Sequence, residues 1–134
     1  MSQQIPQSLP LIIPILQVLI ALGLLNVWLL RFKKSTAYRG GSAQTLPDEF
    51  AVYGLPKWFM YIVGSLKIII ATILLVSVAM PSLFGLAVYA LGVLALLMIG
   101  AVAMHIKVRD PLIKMLPAMV MLGMAIAVPA IYLF

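Results

Sequence analysis

The stretch WFMYIVGSLKIIIATILLVSVAMPSLFGLAVYALGVLALLMIGAVAM, Trp58 to Met104, decides the fold, and Lys67 is its only ordinarily charged residue. It divides at Met80-Pro81-Ser82 into two apolar segments, 58–79 and 83–104. Each is long enough for the roughly 20 helical residues that cross a hydrocarbon core about 30 Å thick. Pro81 separates them because proline has no N–H for an interior helical bond. With almost no loop between them, the two segments must form a tight antiparallel hairpin.

A further apolar segment lies on each side. The first covers 9–30, with Pro10 and Pro14 in its opening turns. The last covers 113–134, with Pro117 in its first turn and Pro129 placed to kink its last turns. The expectation is therefore an all-α fold, an integral membrane four-helix bundle made by one transmembrane domain, 1–134. Composition points the same way. Apolar residues make up 65% of the chain and charged residues 9%, against about 45–50% and about 25% in soluble domains. A small soluble domain could not bury so much apolar surface. Met1 to Gln7 hold no Lys or Arg, and no small-residue cleavage site follows the first segment. It reads as a retained helix rather than a cleaved signal peptide.

A net charge of +6 raises the question of nucleic acid. The placement of the basic residues excludes it. Arg31, Lys33, Lys34, Arg39 and Lys57 follow the first segment; Lys107, Arg109 and Lys114 follow the third. The termini and the turn at Pro81 have none. This asymmetry predicts an N-out/C-out multi-pass chain, with loops 31–57 and 105–112 in the cytoplasm. The absence of cysteine excludes disulfides, thiolate metal sites and CxxC redox chemistry.

Within the long loop, Tyr38-Arg39-Gly40-Gly41-Ser42 reads as a flexible link. Residues 45–54 read as a short interfacial helix, capped by Thr45 or a neighbour, with Pro47, Asp48 and Glu49 in its first turn and Gly54 ending it; the alternative is a solvated linker of turn residues. Phe50, Val52 and Tyr53 suit the headgroup region or a return toward the bundle.

Lys67 is the main candidate for a specific role. It lies about ten residues into the second segment, roughly 15 Å deep at 1.5 Å per residue. A lysine at mid-membrane is costly, and such residues usually face the bundle interior. Gly64 and Ala71, at i−3 and i+4, give that face room for a neighbouring helix. No Asp or Glu lies in any segment to neutralise the lysine. Two readings stay open: a snorkelling lysine that holds helix packing, or a contact to a ligand or partner subunit. Its partners would be backbone carbonyls, Gln17, Ser65 or Tyr89, or Asp48 or Glu49 if the loop folds inward.

His105, the only histidine, reads as an interfacial hydrogen-bonding residue with Asp110 as one available partner, ahead of the alternatives of catalysis or contact with a quinone headgroup. Arg109 and Asp110 join it as candidate ligand or partner contacts. A lone histidine without cysteine is not a metal site. Met115, Met119, Met121 and Met124 are better read as apolar filler than as Cu(I) ligands. Gln17 and Asn26 read as separate interhelical hydrogen bonds, and Trp28, Trp58 and Tyr132 as interfacial anchors. Gly92 and Gly100 on the third helix and Gly123 on the fourth are expected at close helix contacts. No catalytic set and no cofactor site is found in the residues.

The run Leu55-Pro56-Lys57-Trp58-Phe59-Met60-Tyr61-Ile62-Val63-Gly64-Ser65-Leu66-Lys67, continuing to Ala71 and Leu74-Leu75, resembles the second-helix signature of the DoxX-like membrane proteins. So do Met104-His105-Ile106-Lys107-Val108-Arg109-Asp110-Pro111 and Leu116-Pro117-Ala118. The resemblance covers nearly the whole chain and implies a four-helix bundle. Many members of that family carry an acidic residue where this chain has Lys67, so no role is carried over to that position. Members are linked to quinone-coupled oxidation, oxidative-stress complexes and assembly of other membrane proteins, and some are noncatalytic subunits. The resemblance thus implies a noncatalytic subunit or helper of a larger inner-membrane complex, a redox complex being one class. The alternative is a binder of a small apolar ligand, quinone or lipid, between the helices. A small permease or channel is disfavoured by the lack of acids within the spans.

Overall fold

The computed structural model describes residues 10–133; the predicted limits Leu9 and Phe134 lie outside them. Helix α1 (Ile12–Leu25) continues into a π-helical turn (Asn26–Leu30). A short α2 (Leu46–Val52) follows, then α3 (Lys57–Ala79), α4 (Phe84–Lys107) and α5 (Leu112–Leu133). All four long helices are apolar and long enough to cross a membrane. A single 3-10 turn, Pro81–Leu83, joins α3 to α4, giving the hairpin that the Met80-Pro81-Ser82 junction demands.

Consecutive long helices pack against one another and α5 packs back onto α1, closing a four-membered antiparallel ring. Lipid tails are as apolar as leucine, so hydrophobicity alone does not sort an inner face from an outer one; close packing does. Leucine accordingly occurs on both faces. Ala21, Ala71, Ala87, Leu91 and Leu94 are fully buried, whereas Leu11, Leu30 and Leu96 face outward. On α1 the buried face repeats as Ile13, Gln17, Ile20, Ala21, Leu24 and Trp28, the spacing of one helical stripe. Gln17 Nε2 donates to Ser77 Oγ at 2.6 Å and ties α1 to α3. The second expected polar tie is not made: Asn26 is exposed.

Three expectations about the helices change. Gly92, Gly100 and Gly123 do not lie at contacts within the bundle, since a Cβ on any of them would meet nothing within 4 Å. The close approach on α4 is made instead by Ala87 and Ala90, on the opposite face. Trp28 is not an interfacial anchor but a buried residue. Helix α4 runs three residues past its predicted end at Met104, which carries His105 inside the last helical turn. The π turn, marked by Arg31 N–H bonding the Asn26 carbonyl at 2.9 Å, has no sequence signal that we can identify.

Candidate functional site

The described polar groups converge at the end of the bundle where both basic loops lie, and α2 brings them together. Its N-terminus forms as its residues dictate. Thr45 Oγ1 accepts from the Asp48 N–H at 3.3 Å, and Pro47 needs no donor in the first turn. Its C-terminus is a Schellman motif. Gly54, at φ +78°, donates to the Ala51 carbonyl and Leu55 to the Phe50 carbonyl. Between those caps, Leu46, Glu49, Phe50 and Tyr53 share the face turned to the bundle, at i, i+3, i+4 and i+7. Asp48 points to solvent. The two adjacent acids therefore have different surroundings, and only Glu49 belongs to the site.

Glu49 is buried, and both its oxygens are occupied. Oε1 accepts from Tyr53 Oη at 2.7 Å and from the Gly40 N–H at 3.1 Å. Oε2 accepts from Arg39 Nη1 at 3.3 Å in a buried ion pair. The other arm of Arg39, Nη2, donates to the carbonyls of Arg31 and Lys34. Arg39 thus ties the segment after α1 to α2. A desolvated guanidinium needs this many partners.

The turn between α4 and α5 supplies the second half. Helix α4 also ends in a Schellman motif: Arg109 donates to the Ile106 carbonyl and Asp110 to the His105 carbonyl. Arg109 occupies the left-handed position, at φ +58°, where glycine is the ordinary choice. The reversal directs the Asp110 carboxylate back over the helix end. Oδ2 accepts from His105 Nδ1 at 2.7 Å, and Oδ1 from the Gly41 N–H at 3.0 Å. A carboxylate can only accept, so His105 is the donor in this pair, through Nδ1. Its Nε2 faces Tyr53 Oη at 3.4 Å. Lys107 Nζ donates to the Tyr53 carbonyl at 2.8 Å, and Lys114 Nζ to the Gly41 carbonyl at 2.6 Å.

The result is one buried chain, Arg39–Glu49–Tyr53–His105–Asp110, that fastens the long loop across the end of α4. Burial next to Glu49 and Asp110 pushes the Tyr53 phenol well above its ordinary value. The loop can come this close only because Gly40 has no side chain. A Cβ there would lie 2.3 Å from Tyr53 Oη, and one at Gly41 2.7 Å from Val52 Cγ1. Residues 38–42, expected to be a flexible link, are held at Arg39, Gly40 and Gly41 by side chains from three elements.

Lys67 stands apart from this chain. Its Nζ lies 5.4 Å from the centre of the Trp28 ring, a cation–π contact. Trp28 in turn lies flat against Gly64, where a Cβ would come within 2.4 Å of the indole. Ala71 is fully buried one turn further on. Among the described residues Lys67 has no ion pair; of its expected partners Gln17 is on Ser77 and Glu49 on Arg39 and Tyr53, while Asp48, Ser65 and Tyr89 are exposed. Edge-packed rings run from Trp28 through Phe50 and Tyr53 to His105, with centroids 6.0, 6.4 and 5.9 Å apart. Aromatic packing is thus the link between the lysine and the polar chain.

Residues 15–128 match the sequence profile of the DoxX-like family. The chain belongs to that family. The match runs from α1 to the last turns of α5, so it includes both the polar chain and Lys67. No curated protein and no solved structure matches the chain. In this DoxX-like protein the segment His105 to Asp110, which carried part of the sequence resemblance, forms the helix end that holds the long loop. Arg39, Lys107 and Lys114 were read from sequence only as marks of orientation, and Tyr53 only as a residue for the headgroup region or a return toward the bundle, not as site residues. The signal for Tyr53 was present, as the i+4 residue from Glu49 on the apolar face of α2. Arg39 gave no such signal, because among so many basic residues nothing separates a buried arginine from one that marks orientation.

Proposed function

We propose that this DoxX-like chain is a noncatalytic subunit or assembly helper of a larger complex in a bacterial inner membrane, and that it docks through the outer face of α4. One observation carries the reading. Gly85, Gly92 and Gly100 are exposed, with none of the described residues within 4 Å of the place a Cβ would take. At about 100° per residue they fall within roughly 80° of one another. Tyr89 and Leu96, 78% and 70% exposed, project between them. Glycine weakens a helix by about 1 kcal/mol relative to alanine, and small residues in membrane helices are the ones that let a second helix approach. A transmembrane helix of another subunit suits this face. Gly123 is similarly open on α5, whose described residues bury only Ala125 and Val128.

The closed state of the polar chain supports a noncatalytic role, since both carboxylates and the histidine are occupied by internal partners. The alternative, a quinone between the helices, finds less support. Phe84, Leu91, Leu94 and Ile20 fill the interior, and His105 is enclosed by Tyr53 and Asp110. The basic residues of both loops lie at one end of the bundle, which supports an orientation with that end in the cytoplasm.

Purification of the tagged chain in mild detergent, followed by mass spectrometry, tests the proposal. A different membrane protein should co-purify in fixed ratio, and Gly92→Leu with Gly100→Leu should release it while the bundle stays folded. A chain that purifies alone, or a partner retained by the double variant, contradicts it.

A further inference from the structure

A second feature, independent of the subunit reading, lies on the opposite side of the loop end. Where the π turn of α1 passes α3, a groove of about 560 Å³ opens to the outside of the bundle. Trp28 and Gly64 form its floor, Leu29 and Ile68 line it, and Lys33 and Lys34 stand at its mouth. It follows α3 from Tyr61 to Ile68, about 10 Å at 1.5 Å per residue. No acidic residue lines it.

The two lysines are not on a loose loop. Lys34 N–H bonds the Arg31 carbonyl at 3.1 Å, and Leu46 N–H bonds the Phe32 carbonyl at 3.0 Å. Arg39 holds the carbonyls of Arg31 and Lys34, and the Phe32 ring packs on Trp28. The turn is thus pinned by α2 and by the polar chain, and it presents two ammonium groups beside an apolar cleft. The cleft itself exists because the Trp28 indole lies down on Gly64 instead of projecting outward. π turns recur at functional sites in helices.

We propose that this groove binds one anionic phospholipid, its phosphate between Lys33 and Lys34 and an acyl chain along Leu29 and Ile68. The charge at the mouth selects for an anionic headgroup, since lysines near a membrane surface are attracted to anionic lipid. The hydroxyls of Ser65 and Tyr61, both exposed along the groove, are placed to meet glycerol or ester oxygens.

Native mass spectrometry of the purified full chain tests this, with phosphatidylglycerol and phosphatidylcholine of identical acyl chains supplied in equal amounts. The wild type should retain one phosphatidylglycerol in preference to phosphatidylcholine. Lys33→Gln with Lys34→Gln should cut that retention roughly tenfold or more, whereas Lys57→Gln with Arg109→Gln, an equal loss of charge at exposed positions elsewhere at the loop end, should leave it unchanged. Ser65→Trp, which fills the groove without touching the buried core, should abolish it. Equal retention of the two lipids, an equal effect of both double variants, or full retention by Ser65→Trp would each overturn the assignment. A bound quinone in place of phospholipid would overturn it as well.

Discussion

Arg109 holds a backbone conformation that disfavours side chains, and replacing it with glycine should stabilise the protein. The left-handed region costs a non-glycine residue roughly 1–2 kcal/mol, part of which glycine gives back through its more flexible unfolded chain. Arg109→Gly should therefore gain about 1 kcal/mol, read as a thermal midpoint several degrees higher in detergent. A lower midpoint would mean that the arginine side chain holds the turn. Tyr53 gives a pH prediction. In the unfolded chain a phenol ionises near pH 10. In the folded protein, burial and the neighbouring Glu49 and Asp110 push it higher. Above pH 10 the folded state alone keeps this proton, so the contribution is complete below pH 10 and is lost as the pH rises further. Thermal midpoints measured from pH 8 to 11 should fall more steeply at the alkaline end for wild type than for Tyr53→Phe. Parallel curves would contradict the buried placement.

At the scale of elements, the long apolar segments were legible in the sequence because a membrane span needs a length and a composition, and both are local. α2 was legible for the same reason: Thr45, Pro47 and Gly54 are caps that act within one turn. What each element touches was harder to read. In a helix that is apolar all round, periodicity does not distinguish the buried Ala87 from the exposed Gly92, and the glycines were assigned to the wrong side. The link 38–42 was misread because Gly40-Gly41 signals flexibility when nothing is known to pack on it; here the absent side chains admit Tyr53 and Asp110. Gly40→Ala should consequently cost about 1–3 kcal/mol, as overpacking does. Gly92→Ala, on the open face of α4, should cost nothing or stabilise. Thermal unfolding of the two variants side by side checks this, and equal effects would mean that the loop is not held against Tyr53.

For the whole molecule, the apolar ring, the polar chain that closes one end and the open face of α4 have separate roles. The ring sets four membrane-spanning helices in an antiparallel order. The chain from Arg39 to Asp110 fixes the long loop over that ring, and Trp28 lies between this chain and the lone charge of Lys67. The outward glycines of α4 have no partner among the described residues, and the proposed docking gives them one in another subunit. The absence of cysteine allows a direct measurement. Leu96→Cys, in the middle of the glycine face, and Ile69→Cys, on the exposed side of α3, can each be labelled with a thiol-reactive photo-cross-linker in native membranes. The account predicts a single adduct with a different protein at Leu96→Cys and none at Ile69→Cys. No adduct at Leu96→Cys, an adduct only with a second copy of the chain, or the same products at both positions would contradict it.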